Sequence, residues 1–424
     1  MNSLAAMFDV RQLLWRWYLA ALYILAFAWR FLLFRTTFIA ITGSVGKTTT
    51  KECLATILSA ENSCAKTLRN QNDRYGVPRT LLRVRPWHRF AVIEIGTDRH
   101  GMIRRSARLV RPRIAVVLAI GRTHTNVFQT LEDTAAEKAC LVEALPPDGL
   151  AILNGDDPRV RRMADTCQGD VKMFGRSKDL DLWADEVFSV WPARLSLRVH
   201  TGSNAQTVQT NLAGEQWVNS VLAALLAAHS CGVSLKAAAA ALEKLEPFAA
   251  RMQPVQTPTG AIFLRDEYNG SPDTLRTALA VLQHAHTDRR VLVMSNVADL
   301  AKSSRVRFTE MGELASQAAD LAVFISPHAH YAVKAAVAAG MKPECAHGFT
   351  DLQTAAEYLK TELRSGDLVL LRGRATDHLS RIFFAQFGTI GCWKRHCRKT
   401  IICDFCPELR PTFAMPEAFL PCPR

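Results

Sequence analysis

The sequence predicts an α/β fold, in which a central P-loop-type domain with a parallel sheet is followed by a smaller Rossmann-like α/β domain. Two observations support this prediction. From residue 38 onward, short β-branched runs alternate with helical stretches, as expected for a parallel sheet covered by helices on both faces. A glycine-containing turn, GSVGKTT, joins the first of these strands to a helix. With 424 residues, of which 49% are hydrophobic, the chain can form two or three packed domains.

The central domain is predicted to cover residues 37–247 and the second domain residues 248–385, with a boundary at Pro247. In the central domain the predicted strands are 38–42, 89–95, 113–120 and 149–153, and the predicted helices are 47–59, 133–145 and 216–245. In the second domain the predicted strands are 262–264, 290–294, 321–325 and 367–371, and the predicted helices are 271–283, 310–318, 331–339 and 352–363.

The turn after the first predicted strand has the composition of a phosphate-binding loop. It consists of Gly43, Ser44, Val45, Gly46, Lys47, Thr48 and Thr49. Glycines permit a tight turn, and free N–H groups at the start of the next helix bind an anion. In such loops the lysine lies over the β- and γ-phosphates and the first hydroxyl ligates Mg²⁺. We therefore expect ATP and Mg²⁺ here, against the alternative of an ordinary strand–helix turn.

The first 36 residues form an apolar segment. Its uncharged stretch, residues 17–29, has 13 residues, fewer than the roughly 20 that a spanning helix needs. Arginines flank this stretch and tryptophans lie near its ends, a pattern that a bilayer interface selects. We expect attachment to the inner face of the cytoplasmic membrane. The alternative is an amphipathic helix that docks on the body of the protein.

The net charge of +13 favours anionic partners such as nucleotides, acidic lipids or anionic substrates. No Arg/Lys-rich run is interleaved with aromatic residues, so a nucleic-acid partner is not expected.

Five of the 11 cysteines lie in a basic tail, residues 386–424, and four of the five lie close together. Cys392, Cys397, Cys403 and Cys406 have the spacing C-x4-C-x5-C-x2-C. Four thiolates suit tetrahedral Zn²⁺ or an Fe–S cluster. The alternatives are free thiols or a disulfide pair.

Several segments resemble motifs of the Mur ligases, in the same order and over residues 38–385. Besides GSVGKTT, they are the Asn-rich segment 70–82 that contains Gly-Val-Pro, the strand and turn 92–96, the Gly-x-x-His turn 121–124, the helix 131–146, the segment GLAILNGDD at 149–157, and the Asp-x-Tyr-Asn-x-x-Pro motif at 266–272. Within that family the match looks closest to the branch that adds D-alanyl-D-alanine to a UDP-linked tripeptide. The related folylpolyglutamate synthetases share the short loop.

The resemblance implies an ATP-dependent ligase that joins a carboxylate to an amine through an acyl phosphate, in cell-envelope or related metabolism. By the same resemblance, Glu94 binds Mg²⁺, His124 helps to hold a second metal, and Lys138 is the lysine that the family carbamoylates. The implied catalytic residues are Lys47, Glu94, His124 and Lys138, and the implied metal ligands are Thr48, Glu94, His124 and Lys138. Arg251, Asp266 and Asn269 match positions that contact ATP.

The sequence departs from the family at its substrate-binding regions. Only about 37 residues precede the first strand, where Mur ligases have a domain that binds UDP. Cys140 replaces a glutamate, Gln216, Trp217 and Ser220 replace His and Asn residues, and Arg372-Gly373-Arg374 stands where Lys-Gly-Ser is usual. We therefore expect a non-standard substrate, with lipid-linked acids among the candidates. The alternative function is a catalytically inactive ATP-binding scaffold or regulator.

Overall fold

The computed structural model describes residues 2–122, 127–297 and 302–413, which divide between two compact units. Unit 1 holds most of the chain up to Leu245. Unit 2 begins at Glu246 and also includes the short segments Phe188–Leu195 and Asn211–Gln216.

Unit 1 contains eight of the α-helices and nine strands among the described residues. The helices are α1 (Asn2–Leu32), α2 (Lys47–Ser59), α3 (Gly76–Arg83), α4 (Met102–Val110), α5 (Leu131–Ala139), α6 (Pro158–Arg161), α7 (Val218–Ser230) and α8 (Leu235–Glu243). The strands are β1 (Thr37–Thr42), β2 (Cys64–Lys66), β3 (Phe90–Glu94), β4 (Ile114–Val117), β5 (Leu150–Asn154), β6 (Asp170–Gly175), β7 (Leu182–Phe188), β8 (Ser196–Thr201) and β9 (Asn204–Gln209).

The strands of unit 1 form one sheet in the order β2-β3-β1-β4-β5-β6-β7-β8-β9. β1 lies between β3 and β4 and is parallel to both. All residues of β3 and β4 are buried, which explains their continuous apolar runs, since strands of a parallel sheet are covered on both faces. Because the carboxyl ends of parallel strands share one edge, the loops after β1, β3 and β4 lie together.

Unit 2 contains a second sheet with the order β10-β11-β15-β12-β13-β14. Its strands are β10 (Gln253–Gln256), β11 (Ile262–Asp266), β12 (Arg289–Met294), β13 (Leu321–Ile325), β14 (Ala346–Phe349) and β15 (Asp367–Arg372), and its helices are α9 (Pro272–Gln283), α10 (Ser304–Ala318), α11 (Ala329–Ala338), α12 (Leu352–Glu362) and α13 (Ser380–Ala385). Apart from the antiparallel β10, each paired strand is parallel to its neighbour. The predicted α/β fold class is confirmed.

Three predicted elements have different limits in the structure. The predicted helix 216–245 is two helices, because the chain turns at Gly232, whose φ of 93° favours glycine. The predicted helix 133–145 ends at Ala139, and the predicted strand 113–120 ends at Val117. The apolar residues beyond these ends, such as Leu141 and Leu118, are buried without being part of the regular element.

Helix α1 docks on unit 1 through one face. Leu22, Ala26 and Leu33 are buried, and the Trp29 indole donates a hydrogen bond of 2.8 Å to the Val84 carbonyl oxygen. The Arg30 guanidinium donates to the Val110 carbonyl oxygen at 2.6 Å. Among the described residues, no helix has the length and apolar character needed to cross a membrane.

The described part of the tail packs into unit 2. Ile390 and Leu409 are buried in the same apolar cluster as β11 and α13. The fully buried Arg265 guanidinium bonds to the carboxylates of Asp404 and Glu267, and its pKa is raised because these two carboxylates outweigh the cost of burial. The ion pair between Asp404 and Arg265 therefore holds the tail against the end of β11.

Candidate functional site

The turn between β1 and α2 is a tight loop that requires glycine. Gly46 has φ of 85°, a left-handed conformation, and a Cβ there would lie 2.7 Å from the Ser220 hydroxyl oxygen. The Ser44 backbone N–H donates to the Ala119 carbonyl oxygen at 2.8 Å. The loop is thus fixed between the loop after β4 and the start of α7.

Lys47 and Thr48 begin helix α2, where free backbone N–H groups favour an anion. The Lys47 ammonium donates to the carbonyl oxygens of Gly43 at 2.6 Å and Ser44 at 3.3 Å, so it folds back over the loop. The Thr48 hydroxyl donates to the Glu94 carboxylate, at 3.2 Å from Oε1 and 3.1 Å from Oε2. The loop residues and the predicted metal ligand Glu94 are therefore brought together.

Glu94 ends β3 and is a buried carboxylate, with 1% of its surface exposed. Besides Thr48, the Asn72 side-chain amide donates to its Oε1 at 2.6 Å. The Lys51 ammonium lies 3.8 Å from its Oε2. A buried carboxylate must be paired or bind a cation, and this one faces the phosphate loop.

Lys51 and Asn72 were missed as site residues by the sequence analysis. Lys51 is fully buried one helical turn after Lys47 and pairs with Glu52 at 2.8 Å as well as with the Arg69 carbonyl oxygen. Asn72 lies within the Asn-rich segment 70–82, and that composition was the available signal. The i,i+4 spacing from Lys47 to Lys51 was visible in the sequence, but the burial of Lys51 was not.

Lys138 is a buried lysine near the end of α5, with 3% of its surface exposed. Burial, followed by the nearby charge of Lys47, lowers its pKa to about 7. The neighbouring Glu137 carboxylate accepts hydrogen bonds of 2.8 Å from the Gly101 and Ile103 backbone N–H groups. Much of Lys138 is therefore a neutral amine at neutral pH, unlike a lysine on a solvated helix face.

The predicted metal ligand His124 lies outside the described residues. The turn that leads to it is held to the phosphate loop, because the Ser44 hydroxyl and Gly121 exchange hydrogen bonds of 2.9 and 3.0 Å.

The oxygen donors around the loop suit Mg²⁺. A carboxylate and a hydroxyl are ligands that this hard cation prefers, and Mg²⁺ usually keeps several waters and one or two carboxylates beside substrate phosphates. Glu94 and Thr48 provide such a pair, with the hydroxyl within hydrogen-bond distance of both carboxylate oxygens. These two residues therefore fit the predicted Mg²⁺ ligation, and the ion would supply charge neutralisation next to the phosphates.

In unit 2, Asp266 and Arg372 end the neighbouring parallel strands β11 and β15 and form a buried ion pair. Burial raises the pKa of the Asp266 carboxyl despite the nearby Arg372 and Arg251 guanidinium groups. Arg251 lies over the Tyr268 ring, at 4.4 Å from its centroid, and Asn269 is exposed. Arg372 is 2% exposed, so its guanidinium is buried beside Asp266.

The four clustered tail cysteines line one small cavity of about 10 Å³, together with His378 and Arg381. The predicted zinc or iron–sulfur site nevertheless finds no support here. Within residues 2–122, 127–297 and 302–413, no three His, Cys, Asp or Glu side chains are arranged to hold a metal ion. Burial raises the pKa of the Cys403 thiol to about 12. The Cys406 sulfur accepts a hydrogen bond of 3.3 Å from Lys399.

Two family models match the chain. The model described as the Mur ligase middle domain matches residues 41–228, and the model described as the Mur ligase, glutamate ligase domain, matches residues 250–375. The first match includes the phosphate loop, and the second includes the Asp-x-Tyr-Asn-x-x-Pro motif at 266–272.

Named relatives agree with these matches. The UDP-N-acetylmuramoyl-tripeptide–D-alanyl-D-alanine ligase of Mycobacterium bovis is 32% identical over 356 residues, which cover 79% of this chain and 70% of the relative. The ligase of the same name from Escherichia coli is 32% identical over 66% of this chain and 62% of its own length. A crystal structure of MurF from Acinetobacter baumannii is similar with a TM-score of 0.80 and 27% identity, over 87% of this chain and 80% of that one.

Proposed function

The chain belongs to the Mur ligase family of ATP-dependent enzymes that form an amide bond between a carboxylate and an amine, and we propose that its phosphate loop and Glu94 activate the carboxylate with ATP. The observation that carries this proposal is the contact of the Thr48 hydroxyl with both Glu94 carboxylate oxygens, directly beside the Lys47 loop. A cation, a hydroxyl and a carboxylate in this arrangement support the binding of a triphosphate and Mg²⁺.

The first step is transfer of the terminal phosphoryl group. A carboxylate oxygen of the acid attacks the γ-phosphorus, the bond to the bridging oxygen breaks, and ADP leaves with the electron pair. Both reactants are anions, so the approach is repulsive unless positive charge neutralises it. Lys47 and the N–H groups at the start of α2 supply that charge from the chain, and Glu94 and Thr48 would hold Mg²⁺.

The second step forms the amide. The amine attacks the acyl phosphate carbon, phosphate leaves with the electron pair, and the amine loses its proton.

In unit 2, Arg251, Asp266 and Asn269 are the proposed nucleotide contacts. Asp266 is held by Arg372, so Arg372 acts by orienting this carboxylate.

We assign Lys138 the role of a carbamoylated lysine. Its neutral amine can attack CO₂, forming an N–C bond and releasing a proton, and the product is an anion in place of a cation. The pKa of about 7 supports this assignment, because the reaction requires the neutral amine. A carbamate next to Lys47 would also remove the repulsion between two ammonium groups. His124 keeps its proposed role in holding a second metal.

The proposed acid is a peptide carboxylate of the cell envelope. The named relatives act on a UDP-N-acetylmuramoyl tripeptide and D-alanyl-D-alanine, and these are the first candidates. The apolar helix α1 adds lipid-linked carboxylates as a second class and favours work at the inner face of the cytoplasmic membrane. A zinc or iron–sulfur group in the tail is not part of the proposal.

The function is tested by ATP turnover of the purified protein against a panel of acids and amines. The panel contains UDP-linked and lipid-linked muramoyl peptides as acids, and D-alanyl-D-alanine and single amino acids as amines. We expect ADP release only when a cognate acid is present, and an amide product only when the amine is added. ATP binding without turnover for any pair would instead favour an inactive scaffold.

A Glu94→Gln variant is expected to need more Mg²⁺ while binding ATP with similar affinity. The substitution removes the negative charge that attracts the metal, but the loop amides still hold phosphate. The measurement is the Mg²⁺ concentration for half-maximal ATP turnover, which should rise at least about 10-fold, equivalent to ~1.4 kcal/mol. Glu61→Gln is the matched control, because Glu61 is exposed. An unchanged Mg²⁺ titration of Glu94→Gln would remove Glu94 from the metal site.

A further inference from the structure

Large apolar side chains are exposed along α1 and the residues just after it. Of the sixteen exposed large hydrophobic residues among those described, eleven lie between residues 13 and 34. They are Leu13, Leu14, Trp15, Trp17, Tyr18, Ile24, Leu25, Phe27, Phe31, Leu32 and Phe34. Trp17 and Ile24 are each 68% exposed. A contiguous apolar surface of this kind marks a binding site and is not an ordinary solvent-facing helix.

The contacts of α1 with the body determine which side faces out. Leu22, Ala26 and Leu33 are buried, and Trp29 is bonded to the Val84 carbonyl oxygen. On its docked side, α1 thus contacts α3, α4 and the loops that follow these two helices. Residues 24, 25, 27, 28, 31 and 32 are exposed beside this docked side, whereas residues 13–18 are exposed all around the helix.

Arginines border this exposed surface. The Arg79 guanidinium donates to the Tyr18 hydroxyl at 2.9 Å, Arg105 lies over the Tyr23 ring at 4.0 Å, and Arg111 lies over the Phe31 ring at 4.8 Å. Helices α3 and α4 contain no Asp or Glu, and residues 10–51 contain none either. The apolar surface is therefore bordered by positive charge from the two helices on which α1 packs.

We propose that the exposed face of α1, with its border of arginines, is a docking surface for an anionic lipid bilayer, in which the helix lies along the interface. An apolar helix face that carries Trp and Tyr and is flanked by cations is the pattern of interfacial helices. Each arginine near an anionic surface adds electrostatic attraction to it. The arrangement fits a lipid better than a neutral protein partner, because the cations need anions opposite them.

This surface deepens the proposed function, since it would bring the ligase to lipid-linked carboxylates, but lipid binding does not depend on the ligase reaction. The ligase reaction and the lipid-docking surface can therefore be contradicted separately. Vesicle binding without ATP turnover would contradict only the ligase reaction. Normal ATP turnover without vesicle binding would contradict only the docking surface.

The test is flotation of the full-length protein with vesicles of phosphatidylcholine alone and of phosphatidylcholine mixed with phosphatidylglycerol. We expect binding to the anionic vesicles, with weaker binding to the neutral ones and a decrease at high salt. The triple variant Trp17→Gln, Ile24→Gln and Leu25→Gln should lower the partition coefficient by at least about 100-fold, because three apolar side chains no longer enter the lipid. Its ATP turnover should not change.

The matched control is the double variant Phe188→Gln and Val306→Gln, which removes exposed apolar side chains outside α1. It should bind vesicles like the unchanged protein. Equal binding of the triple variant, or no binding of the unchanged protein, would overturn the proposal. Loss of self-association in the triple variant, with no vesicle binding by either protein, would identify a second copy of the chain as the occupant and also overturn it.

Discussion

A Lys47→Ala variant is expected to lose nearly all ATP-dependent ligation while keeping its fold. The Lys47 ammonium donates to the Gly43 and Ser44 carbonyl oxygens, so it lies over the loop and outside the apolar core. Without it, the charge that develops on the transferring phosphoryl group loses its lysine partner, and loss of one such contact costs roughly 10²–10³-fold in rate. The measurement is kcat for ADP release with a cognate acid and amine.

The matched control for this variant is Lys178→Ala, because Lys178 is an exposed lysine of the same unit outside the loop. Its kcat should stay within about twofold of the unchanged protein, since a surface lysine makes no contact with the reacting groups. Both variants should unfold at the same urea concentration as the parent. Ligation by Lys47→Ala at the parental rate would remove the loop from the reaction.

Much of the fold could be predicted because its strands follow a simple pattern. The fully buried strands β3, β4 and β13 contain continuous apolar runs, which are the signature of a parallel sheet. The strands β6 to β9 gave no such signal. β8 and β9 form an antiparallel pair in which β9 has one buried residue, and short polar strands of this kind are difficult to separate from loops.

The site was predicted best where residues are adjacent in sequence. The loop from Gly43 to Thr49 is one continuous segment, so its chemistry could be read directly. Lys51 reaches Glu94 because β1 and β3 are neighbours in the sheet, and Asn72 reaches it because β2 and β3 are neighbours, so both contacts depend on strand order. Strand order is a long-range property that local patterns do not specify.

Long-range pairing also determines features that local patterns do not show. The buried position of Arg372 follows from the register of β11 and β15, which sets it opposite Asp266. The four clustered tail cysteines do line one cavity, but no ligating group of three forms among the described residues. Spacing indicates which side chains can meet, and it does not determine whether they adopt the geometry of a metal site.

We predict that the ligase reaction is sensitive to CO₂, because the proposed carbamate requires the neutral amine of Lys138. An ordinary lysine is almost fully protonated at pH 7, whereas a pKa of about 7 leaves about half of the Lys138 side chains as the neutral amine. The neutral fraction falls below that pH and rises above it. If the carbamate is required, activity in CO₂-depleted buffer should fall at least about 10-fold and return when bicarbonate is added, and its recovery should be faster at pH 8 than at pH 6.

The kcat of a Lys138→Ala variant is expected to fall roughly 10²–10³-fold, comparable to the loss of one electrostatic group in the site. Added bicarbonate should not change the activity of this variant. Lys138→Arg should behave in the same way, because its guanidinium stays protonated and forms no carbamate. Lys236→Ala is the control, since Lys236 is exposed on α8 and should leave both the rate and the bicarbonate response unchanged. Full activity of the parent protein without CO₂, together with inactivity of Lys138→Ala, would assign Lys138 a role as a plain amine and would contradict the carbamate.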